Sequence, residues 1–363
     1  MIKKISLWIL IFLLAVFFTI LWKNKNSPRF YQIDKTSEFQ QYVPLKKNAV
    51  TINNCVEYET TIGEVFFGKA LLNALKLSYK DVSMDYRLSM YPQNKNDEIQ
   101  IYLRGYFKFM PPFPDDHHIN IAYLLYPIAY THNDSEMIKK RHQITAVKMK
   151  YGNIAIDELQ FYDAIAVASK SYTEKLKKAG YKAYYVPQFT DTSKFYREYK
   201  EELKSEVLFV GTYRDYGAAE IAIKNNVPIT IYGPRWGEIA KAEYIDNEEL
   251  HKYYSSAKIV LNDHRPDMKN YGFINNRTFD VTATGSFLIS DYMPEIEEIY
   301  GDNIPMYKTE EELINLIQYY LTHDEEREQK AKKAQEITLK HFTEKEISEK
   351  FQKIITEIHK EKQ

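Results

Sequence analysis

A chain of 363 residues exceeds the roughly 100 to 200 that one domain usually occupies and implies two domains with additions. With 44% hydrophobic residues, 27% charged residues and a formal net charge of -1, it has no general electrostatic pull on nucleic acid, which is set aside as a partner. A single cysteine, Cys55, excludes an intramolecular disulfide framework and a cysteine-built metal cluster.

The chain opens on an apolar run, Ile5 to Trp22, broken only by Ser6 and Thr19 and flanked by Lys3, Lys4, Lys23 and Lys25. It is long enough to span a bilayer. A cleaved signal would carry a shorter apolar core and end in small residues, whereas this run ends Phe-Phe-Thr-Ile-Leu-Trp, so an uncleaved anchor is expected. Trp8 and Trp22 suit the two interfacial belts, but the basic flanks are nearly balanced and leave orientation open.

A polar linker to Asn54 follows, and then Val65 to Tyr79 places Phe67, Leu71, Ala74 and Leu75 on one helical stripe. Short apolar runs at Ile99 to Leu103, Ile119 to Leu125, Ala164 to Ala168 and Ala183 to Val186 read as strands, with helices at Ser135 to Lys150 and Ser171 to Ala179. Strand alternating with helix predicts parallel pairing. Charged residues between Phe195 and Ser205 mark a connector, beyond which the alternation resumes. Strands are expected at Val207 to Val210, Ile229 to Tyr232, Lys258 to Asn262 and Phe287 to Ser290, with helices at Ala218 to Asn225, Glu248 to Tyr254 and Asn275 to Thr284. From Thr309 onward, Leu313, Ile317, Leu321, Phe351, Ile354, Ile355 and Ile358 recur at helical spacing in a Lys/Glu-rich tail. The expected fold class is α/β, with two Rossmann-like doubly wound domains, C-terminal helices and an N-terminal transmembrane helix. The expected segments are an anchor over 1–28, a linker over 29–54, a first domain over 55–200, a second over 201–325 and C-terminal helices over 326–363 that pack back on the body.

Ligands of open α/β sheets bind off the carboxyl ends of the strands, which singles out residues just after each one. Gly211 lets backbone approach a phosphate and Arg214 offers it a cation; Gly233-Pro-Arg235-Trp236 pairs another strand-ending glycine with a cation and an aromatic that could cap a nucleobase. Asn262-Asp-His264-Arg265 follows the next strand. The helix after Gly272 presents unpaired N–H groups together with Asn276 and Arg277, a site for a diphosphate, and Asp280 stands one turn on, where a carboxylate accepts hydrogen bonds from ribose hydroxyls. His117-His118 beside Asp115-Asp116 is not read as a metal site, because adjacent side chains of an extended loop point apart. Neither G-x-G-x-x-G nor a P-loop occurs, against a nicotinamide-dependent dehydrogenase.

The stretch from Leu261-Asn-Asp-His through Asn276-Arg277-Thr-Phe-Asp280 to Gly285 and Asp291 resembles the donor-binding motif of the spore-maturation-protein type of group 1 glycosyltransferases. Segments around Leu103-Arg104-Gly105, Ile119 to Leu125, Tyr162 to Ser169 and Gln188 to Phe195 are similar to what these proteins carry in the same order. The resemblance implies the GT-B fold, transfer of a sugar from a nucleotide-sugar donor to a glycan, lipid or protein acceptor, a glycan or lipid-linked one first, and no metal or other cofactor. It implies Asp280 at the donor ribose and Asn276 with Arg277 near the diphosphate. Three departures stand out: aspartate replaces glutamate at 280, Phe273 holds the place of a second acid, and Tyr126-Pro127 replaces a Ser-His-Pro. His132 on the same loop is the nearest histidine and the candidate base for an inverting reaction. Asn276-Arg277-Thr278 is a glycosylation sequon inside this site, so catalytic domains facing the cytosol are expected. The alternative is a membrane-tethered nucleotide-sugar-binding protein of the same fold that has lost catalysis.

Overall fold

The computed structural model describes residues 45–54, 56, 63–86, 96–104, 117–127, 159 and 162–363, in which two all-parallel sheets form. The first sheet begins inside the stretch expected to be linker. Lys46–Asn53 is strand β1, paired with both β2 (Val82–Asp85) and β3 (Asp97–Arg104). The linker boundary at residue 54 is thus corrected to lie before Lys46. Periodicity hides this strand because its buried polar side chains are satisfied sideways rather than replaced by apolar ones: Thr51 donates to Asp97 Oδ2 at 2.7 Å and Asn53 to Gln100 Oε1 at 3.0 Å. Strands β4 (Ile119–Leu124), β5 (Ala164–Val167) and β6 (Ala183–Tyr185) complete the order β2-β1-β3-β4-β5-β6. Helices α1 (Gly63–Lys76) and α2 (Lys170–Lys178) flank it, and Phe67, Leu71, Ala74 and Leu75 of α1 are buried as expected. The helix expected over 135–150, the apolar run 5–22 and His132 lie outside the described residues. Among the described residues no helix is long and apolar enough to cross a membrane.

The second sheet takes the order β11-β10-β9-β7-β8, from β7 (Ser205–Val210), β8 (Thr230–Tyr232), β9 (Ala257–Asn262), β10 (Leu288–Asp291) and β11 (Met306–Tyr307). Successive residues of β7 feed opposite faces: Val207 and Phe209 pack in one core, Leu208 in the other. Burial on both faces is why these strands read as continuous apolar runs. Around the sheet lie α3 (Ala218–Lys224), α4 (Leu250–Ser256), α5 (Pro266–Asn270), α6 (Asn276–Ala283), α7 (Pro294–Tyr300), α8 (Glu310–Thr322) and α9 (Asp324–His341). The last helix, α10 (Glu344–Lys362), returns to the first half. Its Phe351 ring meets Tyr123 of β4 at 5.4 Å, Ser348 bonds Ser78 at 2.7 Å, and Lys362 pairs with Asp163 at 2.8 Å.

In each sheet the chain leaves one central strand in both directions, placing a topological switch point between β1 and β3 and another between β7 and β9. A doubly wound sheet opens its ligand crevice there.

Candidate functional site

Residues following the strands of both sheets line a single cleft of about 700 Å³. The first half contributes Glu64 and Phe66 at the start of α1, Tyr126 after β4, and Gln188 and Asp191 after β6. From the second half come Gly211 and Arg214 after β7, Gly233 after β8, Asp263 after β9, and Asn276, Arg277 and Asp280 of α6.

Helix α6 is aimed at the cleft by its cap. The Asn275 side chain accepts from Thr278 N at 3.2 Å and donates to Asn262 Oδ1 and to the Asp263 carbonyl, each at 2.9 Å. This leaves the first-turn N–H groups and the positive end of the helix directed at whatever enters. Arg277 reaches the same point. Its Nη1 donates to Asn262 Oδ1 at 3.1 Å and its guanidinium lies 4.8 Å from the centre of the Phe209 ring. The glycines make room: a Cβ on Gly211 would come 2.4 Å from Arg277 Nη2, and one on Gly233, whose φ is +133°, would come 2.1 Å from the Gly211 carbonyl oxygen. The two turns therefore nest without side chains, leaving Arg277 uncovered at the end of β7.

Asp280 lies below this cation. Asn276 Nδ2 donates to its Oδ2 at 2.6 Å, while Asp280 Oδ1, Asn276 Oδ1 and the neighbouring Thr190 hydroxyl are buried with no hydrogen-bond partner among the described residues. Burial pushes the Asp280 carboxyl up to about 8; Thr190, Asn276 and Arg277 oppose the rise and the Asp191 charge adds to it. Buried polar atoms left unpaired are rare in folded proteins, and the Asp280 and Asn276 oxygens side by side mark a place built to meet hydroxyl groups.

Not every expected site residue faces the cleft. Asn262 is fully buried beneath it, bonded to Thr278 and Ser290 at 3.1 Å each and supporting Asn275 and Arg277 from below. It positions the site without touching its contents. His264 is buried against Asp291, Nδ1 to Oδ1 at 2.7 Å, away from the cleft lining. The Asp291 carboxyl is raised by burial, yet His264 and Lys269 hold it below its ordinary value. Arg214 lines the cleft, but Asp263 already pairs with it, and the same carboxylate accepts from Ala218 N at the start of α3 at 2.9 Å. Trp236 caps no ligand: it is buried against Phe209 and Tyr213 and its indole N–H donates to the Gly211 carbonyl at 2.8 Å. An aromatic after a strand-ending glycine here props the turn. Phe273, where relatives would hold an acid, is fully buried against Tyr172 of α2, so no carboxylate can act from that position.

Other cleft residues escape a strand-end reading of the sequence. Asp191 accepts from Asn73 at 2.9 Å and from the Ser193 hydroxyl at 2.5 Å, and its presence in the segment Gln188 to Phe195 was the only signal for it. Glu64 stands well beyond the end of β1 in sequence; Arg265, the last residue of the expected strand-end group, does line the cleft, clamped by Asp267 and lying 5.7 Å from the Tyr126 ring centre. Burial lowers the Arg265 pKa against the opposing pull of Asp267. Among the described residues no group of three His, Cys, Asp or Glu side chains is placed to hold a metal.

A family described as glycosyl transferase-like matches residues 218–353, from the start of α3 into the first half of α10. The spore protein CgeB of Bacillus subtilis (strain 168) is 26% identical over 56% of this chain and 71% of its own length. In three dimensions the chain is similar to sucrose-phosphate synthase from Thermosynechococcus elongatus, at 12% identity and a TM-score of 0.61 over 87% of this chain and 100% of that one. It is also similar to HepE of Anabaena in complex with UDP and glucose, at 9% identity and a TM-score of 0.57 over 85% and 99%. A third structure of this fold, at 13% identity and a TM-score of 0.52 over 85% and 99%, is an alpha-glucosyltransferase in complex with UDP and a 13-mer DNA. That complex withdraws support from setting nucleic acid aside, because a net charge averaged over the chain does not describe one wall of a cleft. The match over the second half, the CgeB likeness and the shared two-sheet architecture identify the chain as a glycosyltransferase of the GT-B fold.

Proposed function

We propose that the chain transfers a sugar from a nucleoside-diphosphate sugar, held on the second half of the cleft, to a hydroxyl of a glycan or lipid-linked acceptor entering from the first. The observation that carries this reading is the stack at the β7–β9 switch point, where the α6 N-terminus and Arg277 suit a diphosphate and the unpaired Asp280 group suits a ribose. As the bond from the anomeric carbon to the diphosphate breaks, its electron pair leaves on the diphosphate. The guanidinium and the helix end stabilise that charge without a metal. The acceptor oxygen forms the new bond and its proton passes to a base, a role assigned to His132 in an inverting reaction. Residues 5–22 anchor the chain in a membrane with the cleft on the cytosolic side, where the sequon at Asn276 would escape modification. Phe273 favours a second reading, in which the cleft binds the donor without transferring it.

Release of nucleoside diphosphate from a panel of nucleotide sugars separates these readings. Transfer predicts release with at least one sugar, to water or to added acceptor, and its loss in Asp280→Ala. Binding without release from any donor supports the second reading, and release unchanged by Asp280→Ala removes the site assignment.

A further inference from the structure

Past Gly233 the chain doubles back along the open edge of the second sheet. Lys241 N donates to the Ile231 carbonyl at 2.8 Å and Gly233 N to the Ala242 carbonyl at 2.9 Å, so Ala242 forms an isolated parallel bridge to Tyr232 of β8. This anchors the strap that follows, and it carries Glu243, Tyr244, Ile245 and Asn247 onto the cleft wall before Leu250 opens α4. The other second-half acids of the cleft have work: Asp263 holds Arg214 and the start of α3, and Asp280 meets Asn276. On the strap the Glu243 carboxylate, the Tyr244 hydroxyl and the Asn247 amide make no hydrogen bond among the described residues, and Tyr244 is 48% exposed. An aromatic face and unpaired polar groups on a backbone fixed by the sheet are the components with which proteins stack a base and read its edge.

The strap also lies where a base would fall. Gly233, at its root, abuts Gly211 in the proposed diphosphate turn, and Tyr254, one turn beyond Leu250, adjoins both Arg277 and Asp280. A nucleotide with its diphosphate on Arg277 and its ribose on Asp280 therefore points its base at this wall. We propose that the strap is the nucleobase-reading element of the donor site and that Glu243 selects guanine, making the donor a GDP-sugar. A carboxylate only accepts hydrogen bonds, and the pairing edge of guanine presents two adjacent N–H donors to it. Uracil offers one N–H between two carbonyl oxygens that repel the charge, and adenine and cytosine offer a single amino group beside a ring acceptor.

This inference rests on the donor-site reading, and titration calorimetry on the full-length chain in detergent with GDP, UDP, ADP and CDP tests the two separately. GDP is expected to bind at least tenfold more tightly than UDP. Glu243→Gln, an exposed and isosteric change, is expected to weaken GDP and leave UDP no weaker, so that the preference for GDP is lost, while Tyr244→Ala weakens every nucleotide. Parity of UDP with GDP in the wild type, or a GDP preference that survives Glu243→Gln, overturns the guanine assignment and leaves the donor site standing. Full affinity in Tyr244→Ala removes the strap from the site. Absence of binding by any of the four nucleotides overturns both readings.

Discussion

At the scale of single residues, Asp280 ties the site to pH. Its carboxyl keeps a proton to about 8 in the folded chain but releases it near 3.8 when exposed. Between these values the folded state holds more protons than the unfolded one, so the stability this contributes is complete below the lower value, declines as pH rises, and is gone above the upper. Asp280→Asn keeps the shape and removes the titration. Its melting temperature relative to wild type is expected to climb from about pH 5 to about pH 8 and then level off, and a difference that stays flat across the range contradicts the buried-acid assignment. Gly233 is the other residue whose role is local. Any side chain there meets the Gly211 carbonyl at a φ of +133°, so Gly233→Ala is expected to cost at least about 2 kcal/mol in chemical denaturation, while the same change at open Gly237 costs less.

At the scale of elements, the sheets were legible where strands are apolar on both faces and obscure where they are not. Strands β7, β9 and β10 announce themselves through runs such as Val207 to Val210, and the alternation with helices predicted their parallel pairing. Strand β1 does not, because Thr51 and Asn53 are buried as polar residues bonded to neighbouring strands. Helix α5, only Pro266–Asn270, is too short to display a period. The tail helices were read as packing on the body, and their pattern could not say on which half. Phe351 of α10 is fully buried against the first sheet, so the end of the chain is part of that half's core. Phe351→Ala is expected to cost about 3–5 kcal/mol in urea unfolding, and a cost near zero would show that α10 is not docked.

For the whole molecule, the site exists only because two sheets turn their carboxyl ends to one cleft, an arrangement that sequence motifs report in fragments. Residues after β7 and in α6 were found from strand-end glycines and a helix start, since that chemistry is local. Thr190 and Asp191 were not assigned a role, because their meeting with Asp280 depends on how the first half approaches the second. His264 and Trp236 were read towards the ligand because their types suit one, and burial turned them inward. The same logic sets the decisive test. If the cleft is a donor site, its affinity for nucleotide must depend on the cation at the α6 N-terminus and not on Tyr126 of the opposite wall. Calorimetric titration of a nucleoside diphosphate is therefore expected to show binding by the wild type that weakens at least tenfold, about 1.4 kcal/mol, in Arg277→Ala while Tyr126→Phe leaves it unchanged. Equal affinity in wild type and Arg277→Ala would contradict the assignment of this cleft to a nucleotide-sugar donor.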